Sequence, residues 1–230
     1  MTALNSPTVL IDFDGTIATC DTVDAILAEF ALPEWREIED RWQAGEITSK
    51  TCMAEQIALI RATPAELNAF IDTLAIDADF EATLQACARH GARAIVVSDG
   101  LDYTVKRLFD RAGLKAEVHS NHLRPIGNDR WSLSFPFENT SCVIGAGNCK
   151  CATVETATIL IGDGRSDFCV AQSADVVFAK DALAAHCAEA GIPFQSFRSF
   201  HDIAGVIGTA IDSLNRDDVD SLRVGVPING

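Results

Sequence analysis

The chain has 230 residues, of which 48% are hydrophobic and 22% are charged. This is an ordinary globular composition, and the length suffices for one domain with an insertion. Eighteen Lys and Arg against 33 Asp and Glu give a net charge of −15 at pH 7. Because nucleic acids and anionic membrane surfaces are bound by clustered Lys and Arg, we expect neither as a partner.

The sequence predicts neither a membrane span nor a signal peptide. No segment approaches the ~18 apolar residues of a transmembrane helix. Residues 1–7 contain no basic region and no apolar stretch of signal-peptide type. We therefore expect a cytoplasmic protein, whose oligomeric state the sequence leaves open.

Eight cysteines occur in the chain, most of them in apolar surroundings where cysteine behaves as a small hydrophobe. This pattern predicts a reduced set, as is usual in the cytosol. Cys142, Cys149 and Cys151 lie close together, but their spacings of seven and two residues differ from the paired C-x₂₋₄-C units of zinc sites. A metal or redox role for these three cysteines stays open.

The first predicted element is a buried strand, Thr8–Ile11, which leads into Asp12-Phe13-Asp14-Gly15-Thr16. Two acids two residues apart lie on the same side of an extended chain, and Gly15 allows a sharp turn after them. Open α/β sheets bind ligands at the carboxyl ends of their strands. Adjacent carboxylates are unfavourable unless a cation or a phosphoryl-transfer role compensates them. The alternative is a simple acidic turn before a helix.

Residues from about 20 to 85 contain only helical patterns. Predicted helices cover Thr22–Phe30, a stretch beginning at Pro33-Glu34-Trp35, Thr48–Arg61 and, after the Thr63 cap, a segment to about Leu74. A purely helical block between two α/β segments is most simply an inserted cap. The sequence therefore predicts a helical cap over residues 20–84 and a core formed by residues 1–19 and 85–230.

Strands and helices alternate after the predicted cap, which indicates a parallel sheet. The predicted elements are a helix over Phe80–His90, a strand over Ala94–Val97, a helix over Tyr103–Ala112, a strand over Ala116–His119, a β-hairpin within 120–137, strands over Thr158–Ile161 and Val176–Ala179, and a helix over Leu183–Glu189. The fold class predicted is α/β, a Rossmann-like doubly wound parallel sheet with an all-helical cap and a small β-hairpin. Residues after about Asn215 are predicted to form a loose tail.

Polar motifs follow three of the buried strands: Asp12-Phe13-Asp14, Ser98-Asp99-Gly100 and Gly162-Asp163-Gly164. A small-residue loop, Gly145-Ala146-Gly147-Asn148-Cys149-Lys150, lies between the last two. This order resembles the four-motif pattern of the haloacid dehalogenase superfamily over nearly the whole chain. The resemblance implies a phosphatase, a phosphoric monoester hydrolase acting on a small-molecule phosphate ester.

The resemblance also implies roles for the acidic residues and for Lys150. Asp12 would be the nucleophile and Asp14 the general acid and base, while Lys150 would neutralise phosphoryl charge. Mg²⁺ would be held by the Asp12 carboxylate, the Asp14 backbone carbonyl and Asp163, with Asp167 behind them. The second acid, Asp14, favours ester hydrolysis over halide displacement, because a halide needs no protonation.

Four further groups are expected to bind the phosphate together with Lys150. They are the Ser98 hydroxyl and the backbone N–H groups of Phe13, Asp99 and Gly100. The alternative for Lys150 is a solvated surface lysine. The histidines, including His119 and His122, are expected to be structural or surface residues, because this mechanism needs no imidazole.

The position of the predicted cap resembles the phosphoserine-phosphatase-like branch of the superfamily. Within that branch, Asp12–Asp21, Leu32–Trp35 and Ala44–Ile47 resemble the methionine-salvage phosphatases of 2-hydroxy-3-keto-5-methylthiopentenyl-1-phosphate. Phosphoserine phosphatases carry Glu at the position of Asp21 and a carboxylate-binding Arg at that of Gln56. An amide cannot replace that charge-assisted pair, so phosphoserine is the second choice of substrate.

Two other functions share these motifs. A phosphotransferase would pass the phosphoryl group to a hydroxyl acceptor instead of water. A phosphate-metabolite binding protein would keep the fold without turnover, but a binder needs no Asp14.

Overall fold

The computed structural model describes residues 6–140, 142, 145–154 and 157–216. Within these residues, seven strands form one sheet in the order β4-β3-β2-β1-β5-β6-β7, with parallel neighbours except the antiparallel pair β3 and β4. The strands are β1 (Thr8–Ile11), β2 (Arg93–Leu101), β3 (Glu117–Pro125), β4 (Trp131–Ser134), β5 (Thr158–Gly162), β6 (Val176–Ala179) and β7 (Gln195–Ser196). The chain winds outward from β1 in both directions, which confirms the predicted doubly wound fold.

The central strands are buried on both faces, as their continuous apolar sequences predict. In β1, Val9 and Ile11 belong to the hydrophobic core on one side of the sheet, whereas Leu10 packs with Leu160 of β5 on the other. This alternation follows from the two-residue period of a strand. Burial on both faces fixes the register, and so fixes where Asp12 leaves the sheet.

Ten α-helices lie in the described part of the chain. They are α1 (Thr22–Phe30), α2 (Trp35–Gln43), α3 (Ser49–Ile57), α4 (Pro64–Ile71), α5 (Phe80–Arg89), α6 (Asp102–Ala112), α7 (Phe168–Ala171), α8 (Asp181–Ala190), α9 (Phe200–Ala204) and α10 (Ile207–Asn215). Helices α1 to α4 occupy the stretch predicted as a cap, and α5 packs on β2, α9 and α10. The exact division into core and cap stays a prediction.

Capping residues and pairing with a neighbouring segment determine where the helices between β1 and β2 begin and end. Thr63 and Glu66 form a capping box at the start of α4, with Pro64 at its first position. The third helix ends at Ile57, earlier than predicted, because the next residues pair with the chain after α1. Arg61 N–H donates to the Phe30 carbonyl at 2.9 Å, so this stretch cannot continue the helix.

Strand β2 is longer than the predicted strand over Ala94–Val97. It continues to Leu101 through a register shift after Val97, so that Ser98, Asp99 and Gly100 lie within an irregular strand end. Bulges of this kind re-aim side chains next to active sites. The predicted strand over Ala116–His119 and the first arm of the predicted hairpin form one continuous strand, β3, which pairs with β4 so that Pro125 lies opposite Trp131.

Three short elements near the carboxyl end, β7, α9 and α10, were not predicted from the sequence. The predicted tail falls largely on residues 217–230, which lie outside the described residues. Among the helices that the structure describes, none has the length and apolar character needed to cross a membrane.

Candidate active site

The carboxyl ends of β1, β2 and β5 meet at one edge of the sheet and bring the predicted motifs together. Asp12 N–H donates to the Ile161 carbonyl of β5 at 2.9 Å, which places the first motif beside the last. A cavity of about 720 Å³ opens here, and its walls include Asp12, Asp14 and Asp163 together with residues of α1, α2 and α3. Its size suits a small molecule.

Lys150 is buried at this edge of the sheet and does not lie on the protein surface. Its side chain is 2% exposed, and Nζ lies 2.7 Å from both Asp12 Oδ1 and Asp167 Oδ1. Burial opposes the charge on Lys150, but the charges of Asp12 and then Asp167 outweigh it and raise the pKa of the ammonium group. The lysine is therefore a fixed positive charge between two buried carboxylates.

Asp12, Asp163 and Asp167 form an acidic cluster around this lysine. Each offers a carboxylate oxygen, and these oxygens lie within 4.8 Å of one another. Burial, followed by the charge of Asp167, raises the pKa of Asp12 well above its usual range, although Lys150 opposes the shift. Three carboxylates around a single lysine leave an excess of negative charge, which a divalent cation would compensate, and an all-oxygen donor set fits Mg²⁺.

The turn after β1 brings Asp163 next to the first motif. Thr16 Oγ1 donates to Asp163 Oδ1 at 2.5 Å, and burial raises the pKa of Asp163. Gly15 has φ of 70°, and a Cβ at this position would lie 2.5 Å from Asp163 Oδ2. Only glycine fits both the backbone conformation and the close approach.

Asp14 has a different environment from Asp12. Its carboxylate accepts hydrogen bonds from Thr22 N–H at 2.9 Å, Thr22 Oγ1 at 2.5 Å and Ser98 Oγ at 3.2 Å. Burial, and then the charge of Asp21, raise its pKa to about 7, although the hydrogen bonds oppose the shift. A carboxyl group with a pKa near neutrality can both donate and accept a proton.

Most of the predicted phosphate-binding groups already have partners within the site. Phe13 N–H donates to Asp12 Oδ1 at 2.7 Å, and Gly100 N–H donates to Ser98 Oγ at 2.8 Å. Ser98 in turn donates to Asp14. A phosphate would have to replace these acceptors, so the predicted roles of the groups stay proposals.

The sequence analysis missed a polar network around the Asp99 side chain. Its carboxylate accepts from Ser49 Oγ at 2.8 Å, Asn121 Nδ2 at 3.0 Å and Asn148 N–H at 2.9 Å. The Asn148 side chain donates to the Ser98 carbonyl at 2.9 Å. Asn148 lies two residues before Lys150 and could have been noticed in its loop, whereas the sequence carries no signal for Ser49 or Asn121.

The wall of the cavity formed by α1, α2 and α3 is acidic. Asp21 accepts from Asp24 N–H at 2.9 Å and caps α1, while Gln56 Nε2 donates to Glu39 Oε2 at 3.0 Å. Desolvation, then the charges of Asp21 and Glu39, raise the pKa of Asp24 to about 6. Although the Asp21 side chain is accessible, partial desolvation by the surrounding protein also raises its pKa. Asp21 and Gln56, the two positions compared above with phosphoserine phosphatases, both line the cavity.

The prediction of a fully reduced set of cysteines is wrong for one pair. Cys151 and Cys169 form a disulfide, with Cα atoms 6.3 Å apart. Folding brings their two segments together although the residues are 18 apart in sequence, which spacing alone could not reveal. Among the described residues, the one acidic, Cys or His group close enough to hold a metal is Asp12, Asp163 and Asp167.

His119 has a structural environment, in line with the sequence interpretation. Its ring stacks on Phe137 at 4.4 Å between centroids, and Nε2 lies 3.0 Å from Glu117 Oε1. His122 contacts the same phenyl ring edge-on. Neither histidine lines the cavity at the strand ends.

Comparison with known proteins agrees with this geometry. Residues 9–172 match the family model of the haloacid dehalogenase-like hydrolases. The chain belongs to this family. The match includes the segments that carry Asp12, Asp14, Lys150, Asp163 and Asp167. The predicted superfamily is therefore confirmed.

Two curated relatives are 2-hydroxy-3-keto-5-methylthiopentenyl-1-phosphate phosphatases. The protein from Exiguobacterium sp. is 29% identical over 205 residues, which cover 85% of this chain and 94% of the relative. That from Bacillus cereus is 29% identical over 207 residues, covering 85% and 93%. With such relatives in this hydrolase family, the predicted enzyme class, a phosphatase, is confirmed.

Solved phosphoserine phosphatases share the fold. A phospho-aspartyl intermediate analogue of phosphoserine phosphatase has a TM-score of 0.63 at 18% identity, covering 86% of this chain and 97% of that one. The enzyme from T. onnurineus has a TM-score of 0.65 at 13% identity, covering 88% and 94%. At these identities the likeness establishes the fold alone.

Proposed function

We propose that this protein is a Mg²⁺-dependent phosphomonoesterase that hydrolyses a small phosphorylated metabolite through an aspartyl-phosphate on Asp12. The observation that carries the proposal is the pairing of Lys150 with both Asp12 and Asp167, beside Asp14, whose pKa is about 7. One buried carboxylate is held next to a fixed cation, and the second can exchange a proton at neutral pH.

The two carboxylates would act in succession. An Asp12 oxygen attacks phosphorus, the ester P–O bond breaks, and Asp14 gives its proton to the leaving oxygen. Asp14 then takes a proton from the water that attacks the aspartyl-phosphate, which releases inorganic phosphate and restores Asp12. Lys150 supplies positive charge to the phosphoryl oxygens throughout.

Mg²⁺ would be held by Asp12, Asp163 and the Asp14 backbone carbonyl, with Asp167 orienting Lys150 behind them. When bound, the ion would supply positive charge that keeps these carboxylates ionised and offsets the charge of the phosphate. Residues 20–84 would form the cap that encloses the substrate, and the enzyme would work in the cytoplasm.

The charges of the side chains in the cavity wall indicate which leaving groups of the ester can bind. Asp21, Asp24 and Glu39 place several negative charges there, and Arg165 is the one basic side chain among the described lining residues. Its guanidinium group lies 5.1 Å from the Trp42 ring centroid. A leaving group with its own carboxylate would be repelled. We therefore propose a neutral or cationic leaving group.

A neutral thioether-bearing ester fits this wall best. Val23, Trp42, Ile47 and Met53 line the same cavity and offer apolar and sulfur contacts to a methylthio group. The relatives named as 2-hydroxy-3-keto-5-methylthiopentenyl-1-phosphate phosphatases support this choice. Phosphoserine is disfavoured, because Gln56 donates to Glu39 and presents no guanidinium to a carboxylate.

The test is phosphate release from three size-matched sets of esters, whose leaving groups are neutral, cationic or anionic, with and without Mg²⁺. We expect Mg²⁺-dependent turnover, with kcat/KM for the neutral or cationic esters at least about tenfold above that for phosphoserine. Asp12→Asn is the control for the chemistry. A preference for phosphoserine would contradict the proposed leaving group, and retained binding without turnover would contradict the hydrolase.

Acceptor alcohols added to the same assay test the phosphotransferase alternative. Transfer to an alcohol faster than to water would replace the hydrolase proposal. Acid quenching with a radiolabelled ester tests the covalent intermediate, since label must remain on the native chain and be absent from Asp12→Asn.

A further inference from the structure

The Cys151–Cys169 disulfide joins the two segments that carry the ends of the Lys150–Asp167 ion pair. Cys151 directly follows Lys150 in a short helical turn, Lys150–Thr153. Cys169 lies in α7, two residues after Asp167. The covalent bond therefore runs beside a 2.7 Å ion pair between the same two segments.

This disulfide is within reach of small molecules. Cys151 and Cys169 are both half-buried, and Cys169 lines the active-site cavity together with Phe168. By contrast, Cys52, Cys87, Cys149 and Cys187 are buried. A thiol reagent in the cavity would meet Cys169 close to the place where the phosphate is proposed to bind.

The two sides of the Lys150 segment are held by different kinds of interaction. On the preceding side, the Asn148 side chain donates to the carbonyls of Ser98 and His119 at 2.9 and 2.7 Å. On the following side, the backbone bonds from Ala152 to Cys149 and from Val154 to Cys151 stay within the turn, and the turn contacts α7 through apolar packing of Cys151 and Val154. The disulfide is thus the covalent connection between this turn and α7.

We propose that the Cys151–Cys169 pair is a redox-sensitive tether that keeps Lys150 in place for phosphate binding. A dithiol reductant would exchange with the bond, so that the reductant is oxidised to its own disulfide while Cys151 and Cys169 each gain a hydrogen. Two electrons and two protons pass from the reductant to the protein. The inference rests on the role proposed for Lys150.

The reduced enzyme is expected to bind phosphate less well while keeping its fold. Without the tether, only the ion pair and apolar packing hold the turn to α7, so we expect Lys150 to shift relative to Asp12 and Asp167. Displacement of a charged group by about 1 Å can cost up to about 100-fold in rate. We expect KM for the ester and Ki for inorganic phosphate to rise about threefold or more on reduction.

The experiment compares the native enzyme before and after reduction with dithiothreitol. Iodoacetamide labelling and peptide mass measurement report which cysteines are thiols, while kcat, KM and the Ki of inorganic phosphate are measured well below the unfolding temperature. We expect Cys151 and Cys169 to be labelled only after reduction. We also expect inorganic phosphate in the cavity to slow that reduction, because Cys169 lies in its wall.

Three variants serve as controls. Cys151→Ser and Cys169→Ser should each show the weak phosphate affinity without any response to dithiothreitol. Cys187→Ala, a buried cysteine on α8, should keep the full response of the native chain.

The tether is contradicted if both cysteines are labelled without a reductant, or if reduction leaves KM and Ki unchanged. A lower unfolding temperature with unchanged KM and Ki would show a merely structural bond and would equally overturn the proposal. Lack of turnover in both redox states would instead contradict the proposed function. Calorimetric titration with inorganic phosphate would still compare the two states in that event.

Discussion

The charges at the strand ends and the charges on the α1–α3 wall are arranged differently. At the strand ends, Lys150 is buried between Asp12, which directly follows β1, and Asp167, which directly precedes α7. On the wall, Asp21 and Asp24 are accessible to solvent, and Glu39 is half-buried beside Gln56. Fixed, paired charges suit a reaction common to many substrates, whereas accessible, uncompensated charges suit discrimination among leaving groups.

The largest expected effect is the loss of kcat when the proposed nucleophile at the strand ends is replaced. Asp12→Asn should lower kcat by at least about 1,000-fold, because an amide cannot form the phosphoenzyme. Without Mg²⁺, its free energy of unfolding should be equal to or above that of the native chain, since a buried carboxylate with a raised pKa has been removed. Phosphate release and thermal unfolding measure the two effects. A variant that is inactive and also unfolded would be uninformative about the nucleophile, and Asp12→Ser would then replace it.

A smaller loss is expected when the partner of Lys150 is changed. Asp167→Asn should lower kcat/KM about 10- to 100-fold, because the lysine loses the carboxylate that orients it. Asp110→Asn, which removes a surface ion pair with Lys106, should leave kcat/KM unchanged. Equal effects of the two substitutions would show that the Lys150–Asp167 pair does not position the lysine.

A substitution in the α1–α3 wall should change the selectivity among leaving groups and leave the rate of the chemical step unchanged. Glu39→Gln should raise kcat/KM for phosphoserine about threefold to tenfold, since one repelling charge is lost, and should leave kcat for a neutral ester unchanged. Glu37→Gln, on the same helix but outside the cavity lining, is the matched control. If both variants respond alike, the effect is one of net charge and not of this wall.

The smallest expected effect is on the pH dependence of stability. Because the pKa of Asp24 is raised to about 6 in the folded protein, protonation of this group favours folding. Its contribution is complete below its unfolded pKa and is lost as the pH rises through about 6. Asp24→Asn should therefore gain stability relative to the native chain between about pH 4 and pH 7, by less than about 1 kcal/mol because Asp24 is exposed.

Denaturant unfolding of both proteins across this pH range measures the difference. A difference in free energy that is constant from pH 4 to about pH 7 would show that Asp24 titrates normally.

The sequence by itself determined the sheet, the helical stretch after β1 and the positions of the motif residues. Continuous apolar strands such as Thr158–Ile161 can only be buried between two layers, and the carboxyl ends of parallel strands meet at one edge. For this reason Asp12, Asp14 and Asp163 could be grouped before their distances were known, whereas Lys150 and Asp167 joined the group through the resemblance to the superfamily. Thr63, Pro64 and Glu66 likewise act through neighbours in the chain, so the start of α4 was predicted correctly.

Only the tertiary structure decided the features that depend on contacts between distant segments. The end of β2 is bulged, so that Ser98 donates to Asp14, and Asp99 is bound by residues from α3, β3 and the Lys150 loop. Cys151 meets Cys169 because the Lys150 turn packs against α7. The raised pKa of Asp14 comes from burial beside Asp21. Local sequence patterns specify secondary structure, whereas the positions of these groups relative to one another arise from packing across the sheet.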